Sequence, residues 1–172
     1  RARQIGTYFA GEGAPRNPIV VFAEKSVDVL QVFMGSVYAG CFYVLIDPSF
    51  PIQRIQQILG VLSPSIVVTT QEHKDKLDES GYAGRTIMMA DIPSDLNEEI
   101  LESIRKQSID TDPLYGIFTS GSTGVPKGVV ICHRSVIDFI DNFTEIFGIT
   151  DKDVMGNQAP FDFDVSVKDI YS

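Results

Sequence analysis

Nine consecutive residues, Ser120 to Gly128 (SGSTGVPKG), combine three glycines, three hydroxyl side chains and one lysine. Glycines let backbone N–H groups turn inward to meet an anion, hydroxyls donate to it, and lysine adds a compact positive charge. The chemistry these types share is the cradling of phosphate oxygens. A flexible linker could share the glycine and serine content, but it has no use for the Pro126-Lys127-Gly128 end. Two other nucleotide motifs fail. The Walker A pattern needs Gly and Lys adjacent, then Ser or Thr and a helix, whereas Pro126 precedes Lys127 and Gly128 leads into an apolar run. The dinucleotide pattern GxGxxG stops at Gly11 and Gly13, because Arg16 stands in the third glycine's place.

A second chemistry-bearing stretch is Phe161 to Val165 (FDFDV), which sets Asp162 and Asp164 among apolar residues. Aspartates at this spacing either serve a ligand's positive charge or cap the helix that follows. His133 has no aspartate or serine at a triad spacing, so a helix-start or packing role is expected. Glu98 and Glu99 read as a solvated helix face. Cys41 and Cys132 lie in apolar runs without metal-ligand spacing, which fits free thiols, no structural zinc and a reducing cytoplasmic location.

The elements that position these residues follow from periodicity. Pro18 to Ala23, Cys41 to Ile46 and Ser65 to Thr70 are short β-branched apolar runs, as in strands buried on both faces. Ser26 can cap a helix carrying Val29, Leu30, Phe33 and Val37, with Gly40 placed to end it. Ile52, Ile55, Ile58, Leu59 and Leu62 recur at helical spacing until Pro64. A weaker helix is expected near Gln71 to Ser80, a strand at Thr86 to Ala90, and a surface helix carrying Leu96, Ile100, Leu101 and Ile104. Tyr115 to Thr119 feeds the glycine-rich loop and Gly128 to Cys132 leaves it, slinging the loop between two strands. Val136, Ile140, Phe143 and Phe147 then mark a helix, Val154 to Ala159 reads as a strand, and Asp164 to Ser172 begins a helix. The first residues, RARQIGTYFA, show no signal-peptide core and no initiator methionine, which suggests a processed or engineered start. Alternating strands and helices imply an α/β layered fold with a mainly parallel sheet flanked by helices.

Length and charge narrow the function. The 172 residues, 44% hydrophobic, suffice for one sizeable core, and a net charge of −9 disfavours nucleic acid or an anionic membrane as partner.

Leu114 to Gly128 (LYGIFTSGSTGVPKG) resembles the signature phosphate loop of the adenylate-forming (AMP-binding) superfamily: acyl-CoA synthetases, luciferases and the adenylation domains of peptide synthetases. Two further blocks follow the same order. Ala39 to Arg54 (AGCFYVLIDPSFPIQR) is similar to AGxAYVPxDPxxPxxR, and Phe161 to Tyr171 (FDFDVSVKDIY) is similar to the FDxSV block, here in a context like that of D-alanine:carrier-protein ligases.

By that resemblance residues 1–172 form the incomplete N-terminal portion of an adenylation domain. Thr119, Ser120, Gly121, Ser122, Thr123, Gly124 and Lys127 hold the β- and γ-phosphates of ATP with Mg2+. Asp164 meets the α-ammonium of an amino acid in a pocket with Phe163 and Val165. Transfer then goes to the phosphopantetheine thiol of a carrier protein, or to coenzyme A. Lys168 departs from the family's apolar residue there and is expected on a solvated helix face. The later blocks (ribose-binding aspartate, adenine-contacting segment, hinge and catalytic lysine) have no counterpart, so no catalytic residue is assigned, the chain alone is expected to be inactive, and an exposed apolar face is expected to drive self-association. A fatty or aryl acyl-CoA ligase and a non-catalytic nucleotide-binding module are the competing readings.

Overall fold

A computed structural model describes residues 1–12, 15–119 and 126–172. Among these residues six strands, β1 (Pro18–Phe22), β2 (Phe42–Ile46), β3 (Ile66–Thr69), β4 (Arg85–Met88), β5 (Pro113–Thr119) and β6 (Lys127–Cys132), form one sheet in the order β4-β3-β1-β2-β5-β6. The first five run parallel, and β6 returns antiparallel to β5. Around them lie α1 (Ala2–Glu12), α2 (Val27–Tyr38), α3 (Ile52–Leu62), α4 (Lys74–Glu79), α5 (Glu98–Gln107), α6 (His133–Phe147) and α7 (Ser166–Tyr171).

The near-continuous apolar strands divide by a period of two, as pleating requires. Ile19 and Val21 of β1, Tyr43 and Leu45 of β2, and Ile66 and Val68 of β3 join α1 and α2 in one core. Val20, Phe22, Phe42, Val44, Ile46 and Val67 point the other way, onto Ile55, Ile58 and Leu59 of α3 and Leu77 of α4. Central strands buried on both faces cannot show polar alternation, which is why their sequence reads as unbroken runs.

Helix ends match their sequence signals. The Ser26 hydroxyl accepts the Val29 N–H at 3.2 Å, and Gly40 takes φ +71° just past the C-cap of α2. Pro64 lies just beyond the left-handed C-cap Ser63 of α3. The weak helix resolves into a 3₁₀ turn, Gln71–His73, followed by α4. The expected strand at Thr86 to Ala90 begins at Arg85 and gives way to a 3₁₀ turn at Met89–Asp91.

Two elements differ from the sequence reading. Helix α1 carries no cap or breaker that announces it, yet Ile5 and Phe9, one turn apart, are buried against α2. The approach is close: a methyl group on Gly35 would come within 2.4 Å of Ile5, and one on Gly6 within 2.6 Å of Tyr38. Val154 to Ala159 forms no strand. Its carbonyls at Asn157 and Ala159 accept from the Lys25 ammonium, at 2.8 and 3.0 Å, instead of from a neighbouring ladder. Among the described residues no helix is long and apolar enough to cross a membrane.

Candidate functional site

The chain leaves β1 toward α2 on one face of the sheet and leaves β2 toward α3 on the other. Adjacent strands whose connections part in this way open a crevice at their carboxyl ends, where α/β sheets bind ligands. Strand β5 lies beside β2 and delivers Thr119 to that end. Thr119 and Lys127 are register partners across β5 and β6, so both termini of the glycine-rich loop are pinned together. Both side chains are exposed, and Lys127 has no ion pair among the described residues, leaving its ammonium available to an anion. Ser120, Gly121, Ser122, Thr123 and Gly124 lie outside the described residues.

Beside Thr119 opens a cavity of about 290 Å³, lined by Arg54, Ile117, Phe118, Thr119, Asp162, Phe163 and Asp164. The structure thus brings Thr119, one of the residues expected to hold phosphate, together with Phe163 and Asp164, while Val165 is exposed at the N-cap position of α7 and does not join the lining. Neither aspartate caps α7 through its side chain; Asp164 offers only its carbonyl, to the Val167 N–H at 3.1 Å. Its carboxylate remains free for the cavity. Sequence reasoning singled out neither Arg54 nor Ile117 and Phe118 as lining residues. Each had a signal: Arg54 is the last residue of the PSFPIQR block, and Ile117 and Phe118 lie within the LYGIFTSGSTGVPKG block.

The acidic segment is held by an aromatic scaffold. Phe161 is buried against Phe33 with ring centroids 5.7 Å apart, and the Lys25 ammonium lies 5.2 Å from the Phe161 centroid. Phe33 stacks on Tyr43 at 4.0 Å, Tyr43 stacks on Tyr115 at 5.9 Å, and the Tyr43 and Tyr171 hydroxyls are 3.0 Å apart. Side chains from α2, β2, β5 and α7 therefore fix where residues 161–165 pass. Burial raises the Tyr115 phenol above its ordinary range, and the Asp164 charge adds to the rise. The Asp162 carboxyl is likewise pushed up, first by burial and then by Asp47, with Arg54 opposing.

Lys168 is not on a fully solvated face. Its ammonium contacts Asp169, a carboxylate whose side chain is only 1% exposed and which also accepts from the Gln158 N–H at 3.3 Å. The Lys168 hydrogen bond, more than the opposing burial, holds Asp169 below the ordinary carboxylate range. This buried acceptor accounts for a lysine at a position where the resemblance expects an apolar residue. His133 opens α6, as its position suggested, donating its N–H to the Asp112 carbonyl at 3.1 Å. It lines a separate cavity of about 270 Å³ beneath α5 that contains none of Thr119, Lys127, Phe163, Asp164 and Val165. Glu98 and Glu99 occupy the exposed first turn of α5, and neither cysteine forms a disulfide among the described residues.

With this geometry in hand, comparison with known proteins is informative. The family model described as "AMP-binding enzyme" matches residues 1–172. A D-alanine–D-alanyl carrier protein ligase of Staphylococcus aureus is 37% identical over 157 residues, which is 91% of this chain and 31% of that protein. The chain thus spans about a third of the length of the curated relatives it matches. Among solved structures, the nonribosomal peptide synthetase FmoA3 in its alpha-methyl-L-serine-AMP bound form superposes with a TM-score of 0.82 at 26% identity, over 98% of this chain and 18% of that one. A fatty acyl-adenylate ligase from L. pneumophila, in complex with acyl adenylate and pyrophosphate, gives 0.80 at 24% identity, over 99% and 31%, and speaks for the fold alone.

Proposed function

Because the chain belongs to the AMP-binding enzyme family, we propose that its full-length protein is an ATP-dependent ligase that activates the carboxylate of an amino acid, D-alanine foremost, for transfer to a carrier-protein thiol. The observation that carries this reading is the single cavity that joins Thr119, at the start of the phosphate loop, to Asp164. ATP supplies the electrophile: a substrate carboxylate oxygen bonds to the α-phosphorus while the bond to the pyrophosphate leaving group breaks.

The chain's own residues position and stabilise rather than react. Thr119, Lys127 and the loop between them hold the β- and γ-phosphate oxygens, offering fixed donors where negative charge builds on the leaving group. Mg2+ would be carried by the phosphates, since this ion keeps much of its water and takes few protein ligands. Asp164 holds the substrate ammonium. A plain fatty acid leaves that carboxylate without a counter-charge, which favours an amino acid. The acceptor thiol, on a phosphopantetheine arm or on coenzyme A, reaches the acyl-adenylate in the second step. On this reading the 172-residue chain alone does not adenylate, because it lacks the adenine- and ribose-contacting blocks.

Amino-acid-dependent ATP–pyrophosphate exchange tests the proposal, with D-alanine, L-amino acids and fatty and aryl acids compared on the full-length protein and the chain run alongside. Exchange that requires an amino acid, and is absent from the chain alone, is expected. Exchange with only a fatty or aryl acid removes the role given to Asp164, and none with any acid favours a non-catalytic nucleotide-binding module.

A further inference from the structure

We propose that Arg54 binds the carboxylate of the substrate amino acid, so that the cavity grips a zwitterion by both ends, with Asp164 at the ammonium. The inference rests on the amino-acid reading above and adds a residue that orients the reacting group itself.

Arg54 lies in the first turn of α3, and its guanidinium carbon sits 4.6 Å from the centroid of the Phe50 ring. Phe50 is held in turn by the loop before α3. There the Ser49 N–H donates to the Asp47 carboxylate at 2.7 Å, and the Phe50 N–H donates to the Asp47 carbonyl at 3.1 Å. Stacking on the ring fixes the plane of the guanidinium, and a fixed planar fork matches a carboxylate bidentately. Yet the fork is unused. Its Nε is buried without a hydrogen-bond partner, and the side chain makes no hydrogen bond or ion pair among the described residues. A buried donor left in that state is costly, and an oxyanion arriving in the cavity relieves it.

Asp162 is the obvious internal partner, and it does not take the role. No hydrogen bond or ion pair joins it to Arg54 among the described residues, and its carboxyl is held above its ordinary range by burial, which outweighs the pull of Arg54. The balance of charge around Arg54 suits a zwitterion. Arg54 shares the cavity with Asp162 and Asp164, and Asp47 stands near Asp162. A guanidinium set among carboxylates suits a molecule that brings one charge of each sign. The volume, about 290 Å³, is at the lower limit of roughly 300–1,000 Å³ for ligand pockets, which fits a small amino acid.

The test is equilibrium binding of D-alanine, D-alaninamide and N-acetyl-D-alanine to the full-length protein, its Arg54→Gln and Arg54→Lys variants, with ATP binding measured in parallel. Replacing the carboxylate by the amide is expected to weaken wild-type binding on the order of 10- to 100-fold. In Arg54→Gln the acid and amide are expected to bind alike, while the penalty for N-acetylation persists; Arg54→Lys retains part of the preference for the acid. ATP binding is expected to be unchanged throughout.

Acid and amide binding equally to the wild type overturns the inference and leaves the amino-acid reading standing. So does an acid preference that survives intact in Arg54→Gln, or a loss of ATP affinity in its place, which assigns the guanidinium to phosphate. Absence of D-alanine binding alongside binding of a fatty or aryl acid overturns the amino-acid reading and the inference with it. Should Arg54→Gln fail to fold, the wild-type comparison and Arg54→Lys decide.

Discussion

At the scale of single residues, the two aspartates of the FDFDV stretch have different environments although they sit two positions apart. Asp164 is exposed to the cavity, whereas Asp162 is partly buried near Asp47 and faces Arg54. Asp164→Ala is expected to lower kcat/KM for the amino acid on the order of 10- to 100-fold, the worth of a hydrogen bond to a charged group. The KM for ATP should stay constant, and pyrophosphate exchange reads both. Asp162 offers a test in pH. Its folded-state pKa is raised above the unfolded value, so the native state binds its proton more tightly. The stability this contributes is present at acidic pH and is lost as pH rises through the raised value. Asp162→Asn is therefore expected to be more stable than wild type at neutral pH, with the difference disappearing at acidic pH in urea titrations. An unchanged difference across pH contradicts the assignment. The identity of these residues could be read from the sequence, but the inequality between them could not, because it depends on Asp47 and Arg54 from a loop and a helix more than a hundred positions away.

At the scale of elements, strand and helix signals were legible wherever local chemistry agreed with the fold. Ser26, Gly40 and Pro64 stand where capping and breaking rules put them. Helix α1 escaped because its evidence is tertiary: it exists to lay Ile5 and Phe9 on α2, through two glycines that allow the backbones to close. Gly35→Ala is accordingly expected to destabilise the protein by about 1–3 kcal/mol, the usual cost of overpacking. Gly60→Ala is the control. It lies inside α3 with no atom within 4 Å of the added methyl, and it is expected to stabilise by about 0.5–1 kcal/mol through helix propensity. Equal effects at the two glycines, measured by denaturant unfolding, would contradict the close packing of α1 on α2.

At the scale of the whole molecule, the exposed apolar surface is concentrated toward the sequence's later half. Edge strand β6 leaves Val129 43% and Val130 53% exposed, and α6 presents Phe139, Ile146 and Phe147 to solvent. Phe139, Phe143 and Phe147 form a ladder with centroids 5.8 and 4.8 Å apart. An apolar ridge beside a strand edge favours association, against the mutual repulsion of chains carrying a net charge of −9. The 172-residue chain is expected to self-associate more strongly as salt screens that repulsion, and Ile146→Ser with Phe147→Ser is expected to return it toward monomer in sedimentation experiments. A monomer at high concentration and high salt contradicts this. The sequence by itself determined the α/β layering and the order of most elements, because pleat period and helix period are local. Only the tertiary structure decided that Thr119, Arg54 and Asp164 share one cavity and that Lys168 serves a buried carboxylate. Those relations join residues distant in the chain or depend on side-chain burial, and a local pattern specifies neither.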